Sequence, residues 1–218
     1  MTDQRAQIDW TADGVPIARA FDDPYFSLAN GLAETRHVFL NGNQIETRAR
    51  AGFHIAELGF GTGLNLLATA QALAGQQGPI FFTSFEAFPI TPNDMARALA
   101  AFPDLDATAL LDVWARGARA FPLGPLQVQI IAGDARDTLP GWAGRADAWY
   151  LDGFSPAKNP ELWSPDLMAQ VAAHTHKGGT FATYTAAGHV RRALAVAGFT
   201  VTRAKGFGHK RHMSLGHL

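Results

Sequence analysis

The sequence predicts an α/β fold with a mostly parallel sheet, and three observations carry this prediction. Apolar, strand-like runs alternate with helical patterns from Phe53 to the end of the chain. A glycine-rich turn, residues 57–63 (ELGFGTG), follows the first of these runs directly. Acidic residues stand at the ends of four runs. Strands that are separated by helices form a parallel sheet with helices on both faces.

Each element follows from a local pattern, taken in order along the chain. Seven apolar runs are predicted as strands, and they cover residues 53–57, 80–85, 126–131, 146–151, 180–184, 199–203 and 213–217. Four stretches are predicted as helices, and they cover residues 64–74, 92–101, 165–173 and 187–197. The second helix has Pro92 in its first turn and Thr91 as its N-cap, positions that these residues favour. The last two strands are predicted to close the sheet as an antiparallel hairpin.

Composition places the chain among ordinary globular proteins. It has 218 residues, of which 47% are hydrophobic and 17% charged, which is enough for one large core. The absence of cysteine excludes disulfides, thiolate zinc sites and a cysteine nucleophile. Residues 1–5 lack the basic start of a signal peptide, and no apolar run reaches the ~18 residues that span a bilayer. The sequence therefore predicts a cytoplasmic protein without a membrane partner.

The glycine turn has the spacing E-x-G-x-G-x-G rather than the G-x-G-x-x-G of dinucleotide-binding turns. Glycines let the backbone approach a ligand closely, and this spacing suits a ligand without a pyrophosphate. S-adenosylmethionine fits that description, with its amino acid end and ribose over the turn. The alternative is a turn that serves only tight packing. The favoured fold class is a Rossmann-like class I S-adenosylmethionine-dependent methyltransferase.

Two segments follow from this assignment. Residues 1–50 are predicted to form an N-terminal cap or lid, because turn-forming residues and mixed polar stretches dominate them. Residues 51–218 are predicted to form the methyltransferase domain on which this cap packs, the two making one globular unit.

Four strand ends carry carboxylates, and ligands of parallel sheets bind beyond such ends. Glu86 is positioned to accept hydrogen bonds from ribose hydroxyls, and Asp134 with Ala135 to lie on the adenine side. The alternative is that acidic residues merely begin turns. The candidate cofactor-binding residues are Glu57, Gly59, Phe60, Gly61, Gly63, Asn65, Glu86, Asp134, Ala135 and Asp152.

The catalytic candidates lie in residues 150–160 (YLDGFSPAKNP), a Gly- and Pro-rich loop after the fourth strand. Methyl transfer to an amine requires alignment of the amine and an acceptor for its proton. Asp152 suits the acceptor role, Phe154 an aromatic wall, and Lys158 a contact with a phosphate or with the donor carboxylate. The alternative is an ordinary turn, since Asp-Gly and Asn-Pro are common turn formers.

The C-terminal segment is basic although the net charge of the chain is −1. Residues 189–217 contain six Lys and Arg and no Asp or Glu, and a local basic face can bind nucleic-acid phosphates. The alternative is a solvated basic terminus. The candidate RNA-binding residues are Arg191, Arg192, Lys205, Lys210 and Arg211.

Histidine pairs at 174/176 and 209/212 lack the H-E-x-x-H spacing, so no metal is expected.

Several longer segments carry a family resemblance: residues 21–27 (FDDPYFS), 31–40 (GLAETRHVFL), 57–65, 151–160 and 205–211 (KGFGHKR). Through them the chain resembles the methyltransferase half of the bifunctional bacterial enzymes of tRNA 5-methylaminomethyl-2-thiouridine biosynthesis. The resemblance implies S-adenosylmethionine-dependent methylation of the aminomethyl group on uridine 34 of tRNA. It also implies that the aspartate at position 152 serves the amine.

One departure from that family is visible. The bifunctional enzymes continue into a flavin-dependent oxidoreductase, whereas this sequence ends at Leu218. We therefore expect a stand-alone methyltransferase that needs no FAD and uses a separate aminomethyl-generating oxidoreductase. Two alternatives stay open at this point: a methyltransferase for a small-molecule or protein amine, and a non-catalytic RNA-binding module with a vestigial cofactor pocket.

Overall fold

A small antiparallel sheet opens the described part of the chain. The protein is described here by a computed structural model that covers residues 5–27 and 30–218. Three short strands pair in the order β1-β2-β3, namely β1 (Ile8–Trp10), β2 (Pro16–Ala18) and β3 (Asp23–Pro24). Three helical elements follow: α1 (Gly31–Thr35), a π-helical stretch (Arg36–Asn41) and α2 (Ile45–Arg48). These elements make up the segment predicted as a cap, of which residues 1–4 and 28–29 lie outside the described residues.

The main sheet has eight strands in the order β10-β11-β9-β8-β4-β5-β7-β6. They are β4 (His54–Leu58), β5 (Ile80–Glu86), β6 (Ala120–Leu123), β7 (Leu126–Ala132), β8 (Ala146–Leu151), β9 (Thr175–Thr183), β10 (Thr200–Lys205) and β11 (His212–His217). The five strands from β9 to β7 run parallel. Strands β10 and β11 form the predicted antiparallel closing hairpin, so the fold class is confirmed.

The predicted count of seven strands was one too low. Strand β6 forms an antiparallel pair with β7 at the edge of the sheet. Its four residues include Pro122, and proline within a short apolar run argues against a strand. An edge position removes that objection, because a strand there has one side without a ladder partner. Only the assembled sheet makes β6 an edge strand.

Six helices connect the strands of the main sheet. They are α3 (Leu64–Ala72), α4 (Pro92–Leu99), α5 (Thr108–Ala115), α6 (Ala135–Thr138), α7 (Pro165–Ala173) and α8 (Gly188–Val196), with 3₁₀ turns at Leu139–Gly141 and Pro160–Trp163. Thr91 caps α4 as predicted, since its Oγ1 accepts from the Asp94 N–H at 3.1 Å. The sequence did not reveal α5, whose N-cap residue Ala107 offers no capping side chain.

The core consists of two apolar clusters, one on each face of the main sheet. Successive strand residues point to opposite faces, so Ile55 belongs to one cluster and Ala56 to the other. Helices α3, α4 and α5 cover the first face, and α6, α7 and α8 cover the second. The strand order reverses between β4 and β8, which pair in parallel. This reversal places the carboxyl ends of β4 and β8 side by side, where ligands of such sheets bind.

Candidate functional site

A cleft of about 590 Å³ lies at the carboxyl ends of the parallel strands. The N-terminal segment supplies one of its walls through Phe21, Tyr25 and Glu34. The predicted site residues that line the cleft are Gly59, Phe60, Gly61, Asn65, Glu86, Asp134, Ala135, Asp152, Phe154 and Lys210. The predicted site residues that do not line it are Glu57, Gly63, Lys158, Arg191, Arg192, Lys205 and Arg211. The fold therefore gathers most of the cofactor candidates into one place.

The glycine turn between β4 and α3 depends on conformations that side chains resist. Gly61 has a φ of +54°, and a Cβ atom there would lie 3.2 Å from the ring of Tyr25. Gly63 has a φ of +79°, and a Cβ atom there would lie 2.8 Å from Leu110 Cδ2. Positive φ values are costly for most residues other than glycine. Gly61 thus keeps backbone open to the cleft, whereas Gly63 allows α5 to pack against the turn.

Glu57 lies beneath the glycine turn and is fully buried. Its Oε1 accepts a hydrogen bond from Asn65 Nδ2 at 2.9 Å, and its Oε2 accepts one from Ser84 Oγ at 2.6 Å. Burial raises the pKa of the Glu57 carboxyl well above its ordinary value, although these two bonds oppose the shift. Glu57 was predicted as a cofactor-binding residue, and the structure places it one hydrogen bond away from the cleft, behind Asn65.

Asn65 joins three elements through its side chain. The Nδ2 group donates to Glu57 and, at 2.8 Å, to Asp152 Oδ2. The Oδ1 atom accepts from Thr35 Oγ1 at 2.9 Å. Both amide hydrogens and the amide oxygen are therefore engaged, which fixes the orientation of the side chain. Asn65 consequently holds one carboxylate oxygen of Asp152 in place.

Asp152 is half-buried and is the first residue after β8. Its Oδ1 accepts from the Gly153 N–H at 2.8 Å, while Oδ2 accepts from Asn65. Desolvation in the cleft raises the pKa of Asp152 to about 6, against the lowering effect of these two hydrogen bonds. The nearby Glu34 raises this pKa further and Lys210 lowers it. A carboxyl group that titrates near neutral pH is suited to accept a proton during a reaction.

Two further carboxylates at strand ends are oriented by backbone contacts. Glu86 accepts from the Gly61 N–H at 2.8 Å and from the Phe88 N–H at 2.7 Å, and burial raises its pKa. Asp134 accepts from the backbone N–H of Arg136 at 2.8 Å and forms an ion pair with its guanidinium at 2.6 Å. The hydrogen bond from Arg136 lowers the pKa of Asp134. Both carboxylates line the cleft in fixed orientations.

An aromatic wall bounds the cleft beside Asp152. Phe154 stacks on Phe21 with ring centroids 4.7 Å apart, and it meets Tyr25 edge-on at 5.2 Å. The Ser155 N–H donates to Asp23 Oδ2 at 2.7 Å. These contacts join the loop after β8 to the N-terminal segment. Sequence reasoning identified Phe154 but not Phe21 or Tyr25, whose only local signal was their position around an Asp-Pro turn.

Lys158 faces the N-terminal segment rather than the cleft. Its Nζ donates to the backbone carbonyl of Asp22 and lies 3.1 Å from the Asp22 carboxylate. A second carboxylate, Asp23 Oδ1, lies 3.7 Å away. Lys158 therefore holds the loop after β8 against β3.

The basic C-terminal residues divide into two groups. Arg192, Lys205 and Arg211 are exposed, and Arg191 is partly buried on α8. Lys210 differs because its Nζ lies 2.7 Å from Glu34 Oε1 and the residue lines the cleft. Arg192, Lys205 and Arg211 present charge to solvent, whereas Lys210, although also exposed, pairs with Glu34 at the cleft.

Metal ligation and membrane spanning find no support in the described residues. Among residues 5–27 and 30–218, no group of three or more His, Asp or Glu is placed to hold a metal ion. Within the same residues, no helix is long and apolar enough to cross a bilayer. His174, one of the histidines singled out in the sequence, stacks on Trp142 with ring centroids 5.7 Å apart.

Together these features define a class of protein. A doubly wound parallel sheet, a glycine turn after its first central strand and carboxylates at the neighbouring strand ends characterise the class I S-adenosylmethionine-dependent methyltransferases. A family model described as S-adenosyl-L-methionine-dependent methyltransferase matches residues 107–218, just over half of the chain. The chain belongs to this methyltransferase family.

Curated relatives extend the match over the whole chain. The chain is 47% identical over 235 residues to the tRNA 5-methylaminomethyl-2-thiouridine biosynthesis bifunctional protein MnmC of Chromobacterium violaceum, covering 100% of this chain and 35% of the relative. It is 43% identical over 228 residues to the protein of the same name from Pseudomonas aeruginosa, covering 98% and 35%. The chain thus spans about a third of the length of these relatives.

Solved structures support the same fold. The crystal structure of MNMC2 from Aquifex aeolicus superposes with a TM-score of 0.78 at 26% identity, covering 99% of this chain and 71% of that one. The precorrin-6y C5,15-methyltransferase from Geobacter metallireducens superposes with a TM-score of 0.54 at 15% identity, covering 97% and 98%. At that identity the second likeness concerns the fold alone.

Proposed function

We propose that this protein transfers the methyl group of S-adenosylmethionine to the primary amine of 5-aminomethyl(-2-thio)uridine at the wobble position, 34, of tRNA. The product is 5-methylaminomethyl(-2-thio)uridine. The observation that carries the proposal is Asp152, a carboxylate held by two hydrogen bonds in the cleft with a pKa raised to about 6 by desolvation. The names of the 42–47% identical relatives support the substrate.

The cleft fits S-adenosylmethionine in size and in donor set. Its volume of about 590 Å³ lies in the range of small-molecule sites, and the bare backbone at Gly59 and Gly61 leaves room for the amino acid end. In this proposal Glu86, which lines the cleft, accepts from the ribose hydroxyls, and Asp134 and Ala135 contact the adenine. When bound, this cofactor supplies a methyl group on a positively charged sulfur.

Asp152 has a defined task in the proposed reaction. A bond forms between the amine nitrogen and the methyl carbon while the bond from that carbon to sulfur breaks. The attacking amine must be neutral, so an ammonium substrate gives up one proton, and Asp152 accepts it. Asn65 and the Gly153 N–H hold the carboxylate in the orientation that this transfer needs. The stacked aromatic rings of Phe154 and Phe21 form an apolar wall on one side of the cleft.

The RNA partner is proposed from the exposed cations of the C-terminal segment. Arg192, Lys205 and Arg211 are exposed, and exposed cations on one segment can neutralise backbone phosphates. The proposal takes the aminomethyl group as already present on the uridine, so an aminomethyl-generating oxidoreductase supplies the substrate. It also places the protein in the cytoplasm with its tRNA.

Methyl transfer from labelled S-adenosylmethionine tests the proposal directly. The acceptor is bulk tRNA from cells that lack this methylation, and the expected result is label in the wobble nucleoside after digestion. The matched control is tRNA whose uridine 34 carries no aminomethyl group, which should take up no label. Label in a small amine or a protein instead of tRNA would contradict the substrate. Cofactor and tRNA binding without any transfer would indicate the non-catalytic alternative.

A further inference from the structure

One cluster in the cleft holds an ammonium group that the methyl transfer itself does not require. Lys210 Nζ lies 2.7 Å from Glu34 Oε1 and 4.3 Å from the centroid of the Tyr184 ring. All three residues line the cleft together with Asp152. A carboxylate and an aromatic face around one cation form a favourable site for an ammonium ion. We call Glu34 and Tyr184 the ammonium site.

Glu34 and Tyr184 belong to the wall of the cleft, whereas the side chain of Lys210 reaches them from a loop and is more exposed than that of Glu34. The Glu34 side chain lies on α1 and is only 11% exposed, while the Lys210 side chain is 46% exposed. The Tyr184 ring is held by its hydroxyl, which donates to the Gly153 carbonyl at 2.8 Å. Lys210 comes from the loop between β10 and β11. Its flexible side chain can therefore leave without disturbing the wall.

We propose that Glu34 and Tyr184 bind the substrate's aminomethyl group in its ammonium form, and that Lys210 occupies this site until the substrate displaces it. The inference rests on the proposed function, because it requires an amine substrate. It assigns Glu34 and Tyr184 to specificity and leaves proton acceptance to Asp152.

When the substrate ammonium replaces Lys210, the buried carboxylate of Glu34 remains paired with a cation. An unpaired carboxylate in the cleft would be costly, and replacing one ammonium by another avoids that state. A uridine without an amine offers no replacement for Lys210, so the exchange discriminates against unmodified tRNA. The charges of Glu34 and Lys210 both influence the pKa of Asp152. A substrate ammonium held at Glu34 therefore lies within electrostatic reach of the group that accepts its proton.

The released Lys210 side chain has a further use. The same loop carries Arg211, and both residues directly precede β11, with Lys210 lining the cleft. Once freed from Glu34, the Lys210 ammonium can contact a backbone phosphate of the bound tRNA. Recognition of the amine and contact with the RNA backbone would then be linked.

Calorimetry with the nucleoside 5-aminomethyluridine separates these roles, because the probe has no phosphate. Measurements are made with S-adenosylhomocysteine present, so that no methyl group is transferred. Glu34→Gln should weaken binding at least about tenfold through loss of a charge-assisted contact. Lys210→Met should strengthen binding roughly 3–10-fold, since it removes the competing occupant. The double variant should match Glu34→Gln.

Two controls keep this result specific. The neutral nucleoside 5-hydroxymethyluridine should bind all variants alike. Lys177→Met removes an exposed lysine outside the cleft and should leave 5-aminomethyluridine affinity unchanged. Circular dichroism and S-adenosylhomocysteine affinity report whether each variant is folded.

A weaker affinity of Lys210→Met for 5-aminomethyluridine, or an unchanged affinity of Glu34→Gln, would overturn the inference. The kcat/KM for aminomethyl tRNA gives a second readout, which Glu34→Gln should lower at least about tenfold, mainly through KM. Wild-type activity on tRNA with no effect of Glu34→Gln would refute the ammonium site and leave the proposed function standing. Absence of tRNA methylation by the wild-type protein would refute the proposed function itself.

Discussion

Asp152 shows how one residue obtains its chemistry from its surroundings. Its carboxylate is half-buried, and desolvation raises its pKa to about 6. The hydrogen bonds from Asn65 and Gly153 oppose that shift and fix both carboxylate oxygens. Asn65 in turn is fixed by Glu57 and Thr35. A chain of oriented polar groups therefore leads from the core to the acceptor, and the residue can change protonation near neutral pH.

Asp152→Asn should lower the single-turnover rate of methyl transfer roughly 10²–10⁴-fold. The amide retains the shape of the side chain but cannot accept the proton. Because the carboxylate form is the acceptor, the wild-type rate should fall as pH drops through about 6, and this limb should vanish in the variant. A rate–pH profile under single-turnover conditions checks both points, with cofactor affinity by calorimetry as the control. A near-wild-type rate for the variant would remove Asp152 from the reaction.

Lys158→Met should change the methyl-transfer rate less than about threefold. The Nζ group contacts Asp22, whose side chain is 92% exposed, rather than the cleft. Exposed ion pairs contribute only about 0–1 kcal/mol to stability, so a small fall in melting temperature is the expected effect. Steady-state kinetics and a thermal melt measure the two quantities. A rate loss of a hundredfold with normal folding would support the prediction that Lys158 is a catalytic residue.

At the scale of the element, the glycine turn between β4 and α3 combines packing with access. Its backbone is fixed from outside by Glu86, which accepts from the Gly61 N–H at 2.8 Å. A residue of the turn itself, Phe60, also stacks on Trp114 of α5, with ring centroids 5.1 Å apart. Such a preorganised turn binds a ligand without reordering its own backbone.

Gly61→Val should abolish S-adenosylmethionine binding while the fold survives. Its φ of +54° disfavours valine, and any Cβ would crowd the Tyr25 ring at 3.2 Å. Calorimetry and circular dichroism are the two measurements. Glu86→Ala should weaken S-adenosylmethionine binding more modestly, because it removes one hydrogen-bond acceptor worth roughly 1–3 kcal/mol. Unchanged cofactor affinity in Gly61→Val would show that the ligand lies elsewhere.

At the scale of the whole molecule, the N-terminal segment and the C-terminal hairpin meet across the cleft. Lys210, from the loop of that hairpin, contacts Glu34 of α1, while Lys158 and Ser155 of the loop after β8 contact Asp23 of β3. The cleft is therefore walled by parts of the chain far apart in sequence, while the sheet supplies its floor. Three cations of the C-terminal part of the chain, Arg192, Lys205 and Arg211, are exposed to solvent.

Charge reversal of Lys205 and Arg211 to Glu should weaken tRNA binding and flatten its dependence on salt. Each phosphate contact that is lost reduces the slope of log affinity against log salt by about 0.7–0.9. The affinity for S-adenosylmethionine should stay unchanged, because neither residue lines the cleft. Filter binding or fluorescence anisotropy across a salt series gives the slope, with Lys177→Glu as the matched control. Equal slopes of log affinity against log salt for the wild type, the Lys205 and Arg211 double variant and Lys177→Glu would mean that Lys205 and Arg211 are only solvated and do not contact tRNA.

Prediction from sequence succeeded where a feature depends on neighbours along the chain. The glycine turn and the strands on either side of the β4–β8 switch were expected from spacing and apolar runs, and the structure contains them. The sequence does not predict strand β6, because Pro122 stands within its short apolar run. It does not predict helix α5, because the N-cap residue Ala107 has no side chain that can cap a helix. The edge position that tolerates Pro122 exists only after the sheet has formed.

The sequence by itself determined that carboxylates and glycines would meet at one edge of the sheet, because parallel strands end on the same side. It could not determine which carboxylate faces the ligand. The contacts that decide this join residues 87 positions apart, as in Asn65–Asp152, and 176 positions apart, as in Lys210–Glu34. Tertiary packing alone buried Glu57 beneath the turn and turned Lys158 toward β3. Desolvation and long-range hydrogen bonds depend on three-dimensional surroundings, and local sequence patterns carry no record of them.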